Sequence, residues 1–142
     1  MAKYRETIKK NPACLICAAG RSSRMGACKP LLPLGKETLL RQGILTMKMA
    51  GVSPVVVVTG RESEAVAASI SDLEAEIIVN EAYASTQMFD SVKMGLRALK
   101  GRCGRVLFSP ADVPLYSEET VRLLICSPYP ICAPAFGGRK PC

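Results

Sequence analysis

Four consecutive valines, Val55 to Val58, follow Pro54 and stop at Thr59-Gly60. An unbroken β-branched run offers no polar face to solvent, so it fits a strand buried on both sides. Such strands belong to parallel sheets with helices on both faces. The rest of the chain repeats the plan. Ala13–Ala18 is a short apolar run between Asn11-Pro12 and Gly20, Ile77–Val79 closes on Asn80, Val106–Phe108 is a further buried strand, and Ile131–Phe136 reads as a last one. Between these runs apolar residues recur at helical spacing: Leu40, Ile44 and Met47 from Glu37 onward with a stop at Gly51, then Val66, Ile70 and Leu73, then Met88, Val92, Leu96 and Leu99 with Gly101 beyond. Ser117 caps a fourth helix through about Cys126, with Glu118 and Glu119 at the positive end of its dipole. Short connections between alternating strands and helices predict an α/β fold around a mainly parallel sheet. Ligands of such sheets gather beyond the carboxyl ends of the strands.

The 142 residues suffice for one domain with a real core, and 49% apolar with 22% charged residues is a globular composition. No apolar run approaches the ~20 residues that span a bilayer, and Met1–Lys10 lacks the apolar centre of a signal peptide. A cytoplasmic location with no membrane partner is therefore expected. Free thiols are then the default for the seven cysteines. Cys14 and Cys17 have C-x-x-C spacing, but on a strand they point to opposite faces and cannot share a metal. Cys28 is the one expected to be reactive, if Arg24 and Lys29 stand close enough to favour the thiolate. Of the net charge of +7, +3 lies in residues 1–10, and there are no tryptophans among few aromatics. A small anionic ligand accounts for this better than a nucleic acid.

The basic residues concentrate where the first strand ends. Between Thr7 and Lys36 stand Lys9, Lys10, Arg21, Arg24, Lys29 and Lys36, with no Asp or Glu. Gly20 and Gly26 let main-chain amides approach a ligand, and Arg21, Arg24 and Lys29 set cations beside them, a surface suited to a polyphosphate. A Walker loop is excluded by the spacing of Gly20 and Gly26 and by Pro30 after Lys29, and G-x-G-x-x-G is absent. At the end of the fourth strand, Ser109-Pro-Ala-Asp112 places an acid between Pro110 and Pro114, which restrict the backbone. Turn chemistry alone would account for Asp112. Beside a triphosphate loop, a magnesium ligand is the preferred reading, because Mg²⁺ at nucleotide sites takes one or two carboxylates plus phosphate oxygens.

The run Ala18-Ala-Gly-Arg-Ser-Ser-Arg-Met-Gly26, continued by Lys29 and Leu31-Leu-Pro-Leu34, resembles the signature of the molybdenum-cofactor nucleotidyltransferase family (MobA-like NTP transferases), particularly its cytidylyltransferase branch. Ser109–Leu115 is similar to the family's second motif, and Asn80 with Gln87–Leu96 to its N, then G-M-x-x-S-x-x-x-G-L segment, with Gln87 where glycine is usual. The resemblance implies a three-layer Rossmann-like nucleotidyltransferase sandwich spanning residues 13–142 after an N-terminal extension, 1–12, with its C-terminal elements missing, since the family's G-H-P motif and a further acidic ligand do not follow. It implies catalytic roles for Arg24 and Lys29, nucleotide contacts from Ala18, Ala19, Gly20, Arg21, Ser22, Gly26, Asn80 and Ser91, and Mg²⁺ on Asp112. On the residues alone, Ser91 is equally an ordinary helix residue and Asn80 a turn former.

The implied reaction moves a nucleoside monophosphate from a nucleoside triphosphate, CTP preferred, to a phosphorylated acceptor of molybdopterin type, and releases pyrophosphate. Nucleophile and electrophile are both anionic, so positioning and charge neutralisation carry the catalysis and no covalent nucleophile is needed. A binding-only module, a sugar-phosphate nucleotidyltransferase and an unrelated oxidoreductase are the alternatives. A chain without its closing elements exposes apolar surface, so a homo-oligomer or a molybdoenzyme maturation partner is a further expectation.

Overall fold

The computed structural model describes residues 11–19 and 28–135. Six strands and four α-helices follow one another as β1 Pro12–Ala18, β2 Pro33–Leu34, β3 Glu37–Thr38, α1 Leu39–Met49, β4 Val55–Thr59, α2 Ser63–Ser69, β5 Glu76–Val79, α3 Met88–Leu99, β6 Arg105–Pro110 and α4 Glu118–Cys126. A 3₁₀ turn, Lys29–Leu31, precedes β2.

The main sheet has the order β5-β4-β1-β6, with every pairing parallel. The chain steps outward from β1 to β4 to β5 and then returns to the far side of β1. Right-handed crossovers put connecting helices on one face while the chain steps one way and on the other once it turns back. That rule accounts for the layers. Leu40, Ile44 and Met47 of α1, Val66 of α2 and Val121 of α4 pack with Cys14, Ile16, Val55 and Val57 on one face. On the opposite face Leu99 and Val92 of α3 pack with Leu15, Cys17, Val56 and Val58. The expected three-layer sandwich with a parallel sheet is thus the fold. Cys14 and Cys17 lie in different cores, as strand alternation requires. Among the described residues no helix is long and apolar enough to cross a membrane.

Three expectations need correction. α1 begins at Leu39 with Thr38 as its cap, whose side chain accepts from Arg41 N at 3.2 Å, because Glu37-Thr38 pairs with Pro33-Leu34 as a small hairpin. Residues 131–135 form no strand. Pro130 and Pro134 lack N–H donors, and Ile131 is 90% exposed beside a tail whose Tyr129 carbonyl is held by Arg105 Nη2 at 2.6 Å. Phe136, the end of that expected strand, lies outside the described residues. The third concerns the phase of α3: Met88 and Leu96 are exposed, while Ser91, Gly95 and Leu99 face the sheet. A Cβ at Gly95 would stand 2.1 Å from Leu15 Cδ1, so glycine lets the helix backbone settle directly on β1.

Candidate active site

A cavity of about 430 Å³ opens between the carboxyl ends of β1 and β6, where the strand order reverses. This is the switch point at which open α/β sheets bind ligands. The cavity is built by five stretches of chain. Cys17, Ala18 and Ala19 form the end of β1; Cys28, Lys29 and Pro30 form the return of its loop; Pro110, Ala111 and Asp112 form the end of β6; and Arg61 leaves β4. Tyr83, Thr86, Gln87, Met88 and Ser91 complete the wall from the side of α3.

Local structure fixes these groups. Ala111 N–H donates to Cys17 O at 3.0 Å, which ties the two strand ends together just before Asp112 turns outward. The turn carrying Lys29 is anchored by the buried ring of Pro30, by Leu31 against the core, and by Leu31 N–H to Cys28 O at 3.0 Å. Arg61 sits in a sharp turn between β4 and α2, where Glu62 adopts φ +58°, a conformation that costs a non-glycine residue energy. Tyr83 lies flush on Gly60: a Cβ there would be 2.5 Å from Tyr83 Cβ. Gln87 N–H donates to Asp90 Oδ2 at 2.9 Å, closing the first turn of α3.

Asn80 stands behind this wall, 4% exposed, and does not line the cavity. Its Nδ2 donates to Thr86 Oγ1 and to Ser91 Oγ, both at 3.0 Å, its Oδ1 accepts from Ala82 N–H at 3.1 Å, and its own N–H donates to Thr59 O at 2.7 Å. The side chain is saturated by protein.

The charges in the cavity are Lys29, Arg61 and Asp112. Among the described residues none of the three is in an ion pair. Two cations and one carboxylate on an otherwise apolar and neutral lining suit an anion that brings a divalent cation with it. Asp112 is exposed at the mouth and is the residue able to hold that cation. Among the described residues no three His, Cys, Asp or Glu side chains converge, and a divalent cation held at Asp112 would take its remaining ligands from phosphate oxygens and water. The described neighbours of Cys28 do not favour its thiolate. Burial pushes it above the usual thiol range, the nearby Glu62 carboxylate adds to this, and the Leu31 backbone and Arg61 offset only part. Burial likewise raises Cys17.

Of the residues expected at the site, Ala18, Ala19, Lys29, Ser91 and Asp112 line one cavity. Gly20, Arg21, Ser22, Arg24 and Gly26 lie outside the described residues. Sequence reasoning missed Arg61, Tyr83, Thr86 and Gln87 as cavity residues. The only signal for Arg61 was its place directly after Thr59-Gly60 at a strand's carboxyl end.

The parallel sheet and the cavity at its carboxyl ends define an α/β protein with a candidate ligand site at the switch point of its strands. Residues 14–142 match the MobA-like NTP transferase domain family, and the chain belongs to that family. It is 34% identical over 120 residues to the bifunctional protein GlmU of Geotalea uraniireducens, an alignment covering 81% of this chain and 25% of that protein. Among solved structures it is similar to a nucleotidyl transferase from Methanothermobacter thermautotroptrophicus, with a TM-score of 0.73 and 27% identity over 82% of this chain and 57% of the other. It also resembles Rv0371c of Mycobacterium tuberculosis, with a TM-score of 0.70 and 26% identity over 81% of this chain and 58% of the other. Rv0371c has also been solved in complex with manganese. The chain therefore spans about a quarter of its GlmU relative and rather more than half of these structural neighbours.

Proposed function

We propose that this chain binds a nucleoside triphosphate, CTP by preference, with a divalent cation, and transfers its nucleoside monophosphate to a phosphorylated small-molecule acceptor with release of pyrophosphate. The observation that carries this reading is the meeting of Lys29, from the loop after β1, with Asp112, from the end of β6, in one cavity at the switch point of the sheet. Membership of the NTP transferase family supports it.

The roles follow from charge. Lys29 neutralises phosphate oxygens as negative charge builds between the attacking and leaving groups, and Arg24 is assigned the same task. Arg61 adds a third cation for the triphosphate. Asp112 is the carboxylate that would hold Mg²⁺, which when bound draws charge from phosphate oxygens. The manganese complex of Rv0371c is in keeping with a divalent cation here. Ala18 and Ala19 bring backbone to the cavity, and the loop signature assigns nucleotide contacts to Gly20, Arg21, Ser22 and Gly26 as well. No side chain needs to form a covalent intermediate.

For the acceptor, the phosphate of a molybdopterin-type cofactor is the first reading, carried by the loop signature from Ala18 to Leu34. A sugar phosphate is the second, in keeping with the likeness to GlmU.

Thermal unfolding with magnesium and CTP, GTP, ATP or NAD separates binding from turnover. A ligand at 100 times its dissociation constant adds about 2.7 kcal/mol, which is readily seen. A CTP-selective shift that disappears in Asp112→Ala is the expected result, followed by pyrophosphate release on adding the acceptor. No shift with any nucleotide overturns the proposal. A shift without turnover on either acceptor reduces it to nucleotide binding.

A further inference from the structure

The hydrogen bonds behind the cavity wall determine which way one hydroxyl points. Ala82 N–H can only donate, and it meets Asn80 Oδ1 at 3.1 Å, so the other end of the Asn80 amide must be its NH₂ group. That group has two hydrogens, and both are used, one on Thr86 Oγ1 and one on Ser91 Oγ. Each hydroxyl oxygen is thereby an acceptor and must place its own hydrogen elsewhere. Thr86 does so within the protein, donating to Ala82 O at 2.9 Å. Ser91 has no acceptor for its hydrogen among the described residues. It is 2% exposed, and it lines the cavity.

We propose that Asn80 is a positioning residue that makes Ser91 a hydrogen-bond donor to the nucleoside part of the bound nucleotide. The inference rests on the nucleotide reading above and assigns Asn80 a place one step behind the ligand. The cavity wall from Tyr83 to Ser91 has no charged residue, whereas Lys29, Arg61 and Asp112 come from the ends of β1, β4 and β6. Phosphates belong with the charged group and the nucleoside with the neutral wall. The atom facing Ser91 is then an acceptor, either a ribose hydroxyl oxygen or a carbonyl oxygen of the base. A donor at that position of the ligand could meet only the remaining lone pair of Ser91 Oγ and would leave the Ser91 hydrogen unpaired in a buried place, so the arrangement selects as well as binds.

The test measures dissociation constants of the whole chain for CTP, 2′-deoxy-CTP and 3′-deoxy-CTP with magnesium, by calorimetry. Ser91→Ala is expected to weaken CTP roughly three- to tenfold, the loss of one neutral hydrogen bond. Disappearance of this penalty with one deoxy analogue assigns the acceptor to the ribose; persistence with both assigns it to the base. Asn80→Asp keeps the acceptor for Ala82 but replaces the NH₂ by an oxygen that takes the Ser91 hydrogen. The buried carboxylate adds its own repulsion of CTP in either background, so the hydroxyl is read from the cycle: Ser91→Ala should cost nothing once Asn80→Asp is present. CTP binding unchanged by Ser91→Ala, or a Ser91→Ala loss that persists in full in the Asn80→Asp background, overturns this inference while the nucleotide site stands. Failure of the unaltered chain to bind any nucleotide overturns both.

Discussion

Leu15 of β1 and Gly95 of α3 meet with no room for a methyl group between them: a Cβ at Gly95 would stand 2.1 Å from Leu15 Cδ1, 2.9 Å from Cδ2 and 3.1 Å from Cγ. Leu15 is fully buried. The contact sets the height of α3 above the sheet, and α3 carries Ser91 and Met88 into the cavity.

Gly95→Ala should therefore destabilise the chain, although alanine is the better helix former. Overpacking of this kind costs about 1–3 kcal/mol, more than the ~1 kcal/mol that helix propensity returns. Chemical denaturation measures the loss. In a Leu15→Ala background, which has its own cavity cost of about 2–5 kcal/mol, Gly95→Ala should cost less than it does in the unaltered chain, and a more stable Gly95→Ala chain would show that the helix rides higher.

Thr59 ends the valine run with the one buried side-chain oxygen that has no partner among the described residues. Its hydroxyl gains no hydrogen bond from the described residues. Thr59→Val keeps the shape and removes the orphan, so a gain of about 1 kcal/mol is expected in the midpoint of denaturation. A loss would mean that the hydroxyl is satisfied in solution, by an ordered water for example.

Burial pushes Cys14 from 9.0 to about 12 and Tyr116 from 10.0 to about 12. Both are acids with raised folded values, so the unfolded chain ionises first as pH climbs. The stability they contribute is complete below pH 9 and falls towards about pH 12, at about 1.4 kcal/mol per pH unit for each group. Denaturation followed from pH 7 to 11 should show a flat region and then a decline. Cys14→Ala should soften the decline, at the cost of a cavity.

Raised Cys17 and Cys28 thiols make a kinetic prediction. Alkylation of the native chain at neutral pH should modify the exposed Cys126 and Cys132 well before Cys28. Peptide mapping after brief iodoacetamide treatment resolves the order. Early labelling of Cys28 would point to a stronger cationic field at the loop than Arg61 supplies.

Lys29→Ala should lower turnover roughly 100-fold or more if its charge acts on the transition state. Arg61→Ala should mainly weaken nucleotide binding, with an effect that shrinks as salt rises, because Arg61 is exposed at the rim. Equal effects of the two changes on turnover would place Arg61 at the reacting phosphate.

The four strands of the main sheet, their parallel pairing and the places where loops leave it were legible in the sequence, since each depends on side chains adjacent along the chain, whereas the strand expected at Ile131–Phe136 was not there to be found in residues 131–135. Four valines in a row cannot face water, and a loop with two glycines and three cations advertises an anion. Tertiary structure alone decided the phase of α3, where Met88 and Leu96 are the more conspicuous apolar residues but Gly95 is what the sheet accepts. It also decided that Arg61, Tyr83 and Gln87 join Lys29 and Asp112 in one cavity, and that Asn80 stands behind that cavity with every hydrogen bond already made. The difference is physical. Burial of a strand is a local property of consecutive side chains, whereas a shared cavity depends on strand order and on how closely one backbone can approach another, and neither is encoded at any single position.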